Sequence, residues 1–194
     1  MQQRSYIQSK MKFPIALVGI LISLCASTIS KRNYDVEIVS IAANSTDESK
    51  GKIDLRVERI SRGETVLNGT WDWQYDIDDT TMLETIIYSS TSGSENDYKV
   101  LPYSIPSITF NEFLEKHYNE IIYANFRNCS NLALFKNRLE TPWKKATYTF
   151  NLCRPKGDGS PDVLPDGFYK IFVRINGEIE VILIAVFKVF RVFY

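Results

Sequence analysis

The sequence predicts an all-β domain, an antiparallel sandwich that carries one short helix. Three observations lead there. The chain closes on a hairpin from Phe168 to Phe187, in which Asn176-Gly177 separates two runs rich in β-branched and aromatic residues. Upstream, short runs alternate apolar and polar residues between turns rich in Gly, Pro, Ser and Asp. Helical spacing stands out in one stretch, about residues 110–126, behind a capping signal. Hydrophobic residues make up 44% and aromatics 13% of the 194 residues, enough for a real core and too much for a disordered chain.

The first thirty residues read as a separate object. Arg4, Lys10 and Lys12 form a basic region, Phe13 to Cys25 is an apolar run, and small residues follow at Ala26 and Ser27. This is the pattern of a secretory signal peptide over residues 1–30, with Met11 as an alternative start. The apolar run is shorter than the ~20 residues a membrane span needs. Cleavage would leave residues 31–194 with 20 basic and 23 acidic residues, a balance that attracts neither nucleic acid nor an anionic membrane. Three sequons, at Asn44, Asn68 and Asn128, agree with a secreted, extracellular glycoprotein. In that compartment the two remaining cysteines, Cys129 and Cys153, are expected to form a disulfide; the alternative is two independent thiols.

The elements then follow in order. Tyr34 to Ala42 alternates as a first strand, and Asn44 to Gly51 is a polar loop. Lys52 to Ile60 sets Ile53, Leu55 and Val57 against Asp54, Arg56 and Glu58, and Ser61 to Glu64 turns the chain. From Thr65 to Ile77 the alternation is clearest, with Leu67, Gly69, Trp71, Trp73 and Tyr75 on one face and Asn68, Thr70, Asp72 and Gln74 on the other. Met82 to Ser89 is another strand, and Pro102 and Pro106 confine Tyr98 to Ile108 to an edge. Thr109-Phe-Asn-Glu112 is a capping box that opens the helix. Lys145 to Cys153 returns to strand with Tyr148, Phe150 and Leu152 on one side, and a Pro/Gly loop leads into the terminal hairpin. In that hairpin Asn176-Gly177 predicts a two-residue type I′ turn. Phe168, Lys170, Phe172 and Arg174 form one face of its first arm, and its second arm is apolar on both faces from Val181 to Phe187. Lys188 and Arg191 interrupt that run, so no integral membrane segment is expected in the mature chain.

Little of this resembles catalytic machinery. His117 is the single histidine and lies on the apolar side of the helix, where a structural role is the rule. No Gly-x-Ser-x-Gly elbow, zinc-ligand cluster or phosphate-binding glycine loop occurs. Asp76, Asp78 and Asp79 are read as a solvated turn before a calcium site. The chain is therefore expected to be no enzyme and to need no metal or cofactor. What remains is aromatic surplus, in Trp71, Trp73, Tyr75, Phe150, Phe172 and Phe187. It is either ordinary core or the lining of an apolar pocket between splayed sheets, with Trp71, Trp73, Phe150 and Phe172 as the candidate wall.

Five segments occur in order: Arg59-Ile-Ser-Arg-Gly leading to Leu67-Asn-Gly-Thr70, Tyr98 to Tyr103, Phe113 to Tyr118, Asn128 to Asn131, and Leu164 to Tyr169. Together they resemble an expanded insect family of small secreted proteins labelled as a domain of unknown function. That family is similar to the ML lipid-recognition superfamily, which includes the ganglioside activator and sterol carriers. The resemblance implies an immunoglobulin-like sandwich over residues 31–194, a lipid-sized cavity, no catalysis, and for some relatives a chemosensory setting. Family members often carry cysteines where this chain has Asn111 and Thr141, which leaves Cys153 as the substitute partner for Cys129. The resulting expectation is a secreted, non-enzymatic binder of a lipid or other apolar small molecule, with an extracellular receptor as a further partner. The alternative is an extracellular interaction module with a filled core.

Overall fold

The computed structural model describes residues 32–132, 135 and 142–192; the expected leader at residues 1–30 and Thr141 lie outside them. Among the described residues, nine strands build two antiparallel sheets. They are β1 (Tyr34–Ser45), β2 (Gly51–Ser61), β3 (Glu64–Trp73), β4 (Met82–Ser90), β5 (Lys99–Val100), β6 (Ile105–Thr109), β7 (Ala146–Cys153), β8 (Gly167–Asn176) and β9 (Glu180–Arg191). The larger sheet runs β1-β9-β8-β4-β5 with β6 also pairing β4, and the smaller runs β2-β3-β7. This is the all-β sandwich with one short helix that the alternation predicts.

The core lies between the sheets. Ile38, Leu83, Ile175 and Val181 from the larger sheet form one cluster with Leu67, Trp73, Tyr148, Phe150 and Cys153 from the smaller. The helical segment joins from the side. Helix α1 (Phe110–His117) continues through a π-helical stretch, Tyr118–Tyr123, into a last turn at Ala124–Phe126. It buries Phe110, Phe113, Leu114 and Tyr118 in the same cluster. A smaller cluster of Tyr34, Val36, Tyr169 and Val189 packs with Leu101 and Leu164.

Three local expectations need correcting. The terminal hairpin does not turn on two residues: Asn176 pairs with Glu180, so Gly177, Glu178 and Ile179 form the loop. The extra residue lets Ile179 bury at 5% exposure, and the gain from placing that side chain in the core outweighs the tighter turn. Gly177 is needed there for space, since a Cβ would meet Thr81 Oγ1 at 2.6 Å. In the capping box only the Thr109 half forms: its hydroxyl accepts from the Glu112 N–H at 3.1 Å. The Glu112 carboxylate instead takes the Lys116 ammonium at 2.6 Å, a neighbour one turn on. Leu152, expected beside Tyr148 and Phe150, is 56% exposed. The β3–β7 register shifts between Leu67 and Gly69, and Leu152 takes φ 51° in the resulting bulge.

Cys129 and Cys153 are disulfide-bonded, tying the end of the helical segment to the end of β7 across 24 residues. Constraining a loop of that length in the unfolded chain corresponds to about 3 kcal/mol. Replacing both cysteines with alanine is expected to lower unfolding stability by about that amount with the strands retained, measured by urea denaturation and far-ultraviolet circular dichroism.

Candidate ligand-binding site between the sheets

The inner face of the smaller sheet is built by register. Trp71 stands between Ile53 on β2 and Tyr148 on β7, and Trp73 between Gly51 and Ala146. Phe150 lies across from Gly69, which faces Leu55 on its other side. The small neighbours make room for the large rings. A Cβ on Gly51 would approach Ile179 Cδ1 to 2.5 Å and the Trp73 ring to 3.4 Å, so only glycine fits beside Trp73. At Gly69 the constraint is backbone: φ is +132° and a Cβ would lie 2.0 Å from the Asp54 carbonyl oxygen.

The rings pack edge to face. Trp71 and Trp73 are 5.8 Å apart at 70°, and Phe126 from the helical segment meets Phe150 at 5.4 Å and 89°. Trp143 stands 5.6 Å from Tyr148 and 6.1 Å from Phe110. Three of the four expected wall residues, Trp71, Trp73 and Phe150, therefore come together. Phe172 does not join them. On β8 the inward row is Val173 and Ile175, while Phe172 lies on the opposite face with the Arg174 guanidinium 5.8 Å from its ring centroid. Its cross-strand neighbours are Ile86 and Ile184, which make a half-buried apolar row across three strands.

The polar tips of this aromatic face are its most informative feature, and alternation alone could not reveal them. Trp71 Nε1 and Trp73 Nε1 are buried and have no hydrogen-bond partner. The Trp143 indole, by contrast, is directed at the Tyr148 hydroxyl. A buried donor left without an acceptor costs about 1–3 kcal/mol. Tyr75, whose ring is 5.0 Å from Trp73, continues the row. Burial pushes its phenol up to about 12, with the Glu178 and Asp78 carboxylates adding to the rise and the Ile179 backbone opposing it.

A small pocket of about 20 Å³ opens where the edges of β1 and β2 meet, lined by Ala43, Ser45, Lys52, Ile53 and Val181 among others. It has the size of a water site. A shallower depression of about 310 Å³ lies between Asp78, Asp79, Thr80, Asn111 and Pro142. Its carboxylates are engaged locally: Thr80 holds Asp78 below the usual range through its side chain and its N–H, and Asn111 donates to Asp79. Asp76 accepts from Lys144 and from the Lys145 N–H. Among the described residues, no group of three or more His, Cys, Asp or Glu side chains is placed to hold a metal. His117 is half-buried, its ring 5.5 Å from Phe113.

The sequons divide by environment. Asn44 and Asn128 are exposed. Asn68 is only 9% exposed, and its carboxamide is used at both ends: Nδ2 donates to Glu58 at 2.6 Å and Oδ1 accepts from the Leu152 N–H at 2.5 Å. The side chain expected on an open polar face is thus the clasp that holds the β7 bulge.

Residues 83–171 match the model of a family described as a protein of unknown function (DUF1091). The matched segment takes in Phe150, both cysteines and the helical segment, and leaves out Trp71, Trp73 and Phe172. No curated protein matches the chain.

Glycopeptide mass spectrometry of the protein from insect cells is expected to find glycan on Asn44 and Asn128 and none on Asn68. Asn68→Asp, which turns a donor toward Glu58 into a second carboxylate, should destabilise the fold by about 1–3 kcal/mol. Full occupancy at Asn68 in folded protein would contradict the clasp.

Proposed function

We propose that the chain is a secreted, glycosylated, non-enzymatic binding protein for a lipid or other apolar small molecule held between the two sheets. The observation that carries this reading is the aromatic inner face of Trp71, Trp73 and Phe150, in which two buried indole N–H groups have no protein acceptor. An interior serving only as packing gains nothing from donors left unpaired, whereas a bound molecule can supply what they lack. The Cys129–Cys153 disulfide and the exposed sequons at Asn44 and Asn128 support export to an oxidising compartment. The resemblance to lipid-recognition proteins points the same way, including toward a chemosensory role.

A second reading is favoured by a different observation. The rings around Trp143, Tyr148 and Phe150 interdigitate, and the row Ile86, Phe172 and Ile184 presents apolar surface on the far side of the larger sheet. An extracellular interaction module with a filled core would carry both features, with a receptor as its partner.

Native mass spectrometry of protein from insect cells, followed by solvent extraction, separates the two readings. Lipid carriage is expected to give an added mass that extraction removes, and displacement of a hydrophobic fluorescent probe by that extract. Protein that is ligand-free as purified and ignores the probe would overturn it.

A further inference from the structure

The unpartnered donors identify the chemical class of the ligand, and this step rests on the binding reading above. We infer that the ligand is a neutral, oxygen-bearing apolar molecule, such as a long-chain alcohol, ester or aldehyde, with its oxygen accepting from Trp71 Nε1 and Trp73 Nε1. Both residues project from one face of β3, two positions apart, with rings 5.8 Å apart. Trp73 is 1% exposed, so this polar contact lies deep in the interior. The ligand accordingly seats head-first, its oxygen inward and its chain toward solvent.

The donor set selects the head group. An indole N–H donates and cannot accept, so two of them together call for an acceptor, and the Tyr75 hydroxyl, also buried without a partner beside Trp73, can donate to an oxygen as well. A pure hydrocarbon leaves both unpaired. A carboxylate would bring charge into a region that already resists it: the Tyr75 phenol beside Trp73 is raised by burial, and the nearby Glu178 and Asp78 carboxylates raise it further. A neutral oxygen satisfies the donors without that cost.

The route in follows from topology. β1 and β2 are edge strands of different sheets, and no ladder joins them. The water-sized pocket lies at this seam, and its lining residue Ile53 is the cross-strand neighbour of Trp71. Parting the seam exposes the tryptophan pair without breaking a strand pairing.

The test uses the intact mature protein and four probes of equal chain length: a primary alcohol, its methyl ester, the alkane and the fatty-acid anion. Competition against a bound fluorescent probe should rank the alcohol and ester between about fivefold and a hundredfold tighter than the alkane, the range expected for one or two hydrogen bonds. The anion should fall below both. In nitrogen-15 correlation spectra, adding the alcohol should move the indole resonances of Trp71 and Trp73 downfield more than that of Trp143. Trp71→Phe, which keeps a ring and removes one donor, should narrow the gap between alcohol and alkane. Alkane binding as tight as alcohol binding, or indole resonances unmoved by bound alcohol, would overturn the head-group assignment while leaving apolar binding intact. If none of the four probes binds, the binding reading fails, and the head-group assignment fails with it.

Discussion

The two sheets do not match in width, and the rest of the fold answers to that mismatch. Strands in a sheet lie about 4.8 Å apart, so three strands span roughly 10 Å and five span roughly twice that. A three-stranded layer cannot cover the inner face of β1-β9-β8-β4-β5 with aliphatic side chains alone. Large rings on β3 and β7, namely Trp71, Trp73, Tyr148 and Phe150, extend its reach. The helical segment supplies the rest, laying Phe110, Phe113, Leu114 and Tyr118 against the same core. The aromatic surplus is thus partly structural in origin, a consequence of strand number. The disulfide belongs to the same solution, because Cys129 closes the helical segment and Cys153 ends β7, so the bond joins the two covering elements.

That constraint also explains which features were legible in the sequence. Strand identity and facing follow from period-two alternation, which is local and sets Trp71 and Trp73 on one face. The same alternation puts Phe172 with Lys170 and Arg174, and the fold keeps it on that face, away from Trp71, Trp73 and Phe150. Three features depart from that local signal, two through contacts between distant parts of the chain and one through a partner a helical turn away. The hairpin lengthens by one residue to bury Ile179. Leu152 leaves its expected face because β7 bulges opposite Asn68. Glu112 turns to Lys116 once both are on a formed helix. In each case a tertiary or helical partner outweighed the preference written in neighbouring residues.

Asn68 carries a glycosylation signal in the sequence and a structural clasp in the fold. Its sequon sits within an unbroken alternating run, and nothing nearby marks it as special. In the fold it bridges Glu58 on β2 and the backbone of Leu152 on β7, spanning all three strands of the smaller sheet from the middle one. Leucine with φ 51° is a conformation that needs outside support, and the carboxamide together with the adjacent disulfide at Cys153 provides it. The same sheet therefore carries a fixed, fully satisfied polar contact on its outer face.

Its inner face is the opposite. There, Trp71 and Trp73 have buried donors without acceptors, on the same strand that carries Asn68. Phenylalanine at both positions would supply apolar ring surface without a donor to satisfy, whereas the Tyr34 hydroxyl donates to the Pro161 carbonyl at 2.6 Å and Tyr148 to the Lys144 carbonyl at 2.6 Å. The Tyr75 hydroxyl, beside Trp73, is likewise buried without a partner, so three unpaired polar tips gather along one stretch of the chain. On that gathering, more than on the size of any cavity, the proposed binding reading rests.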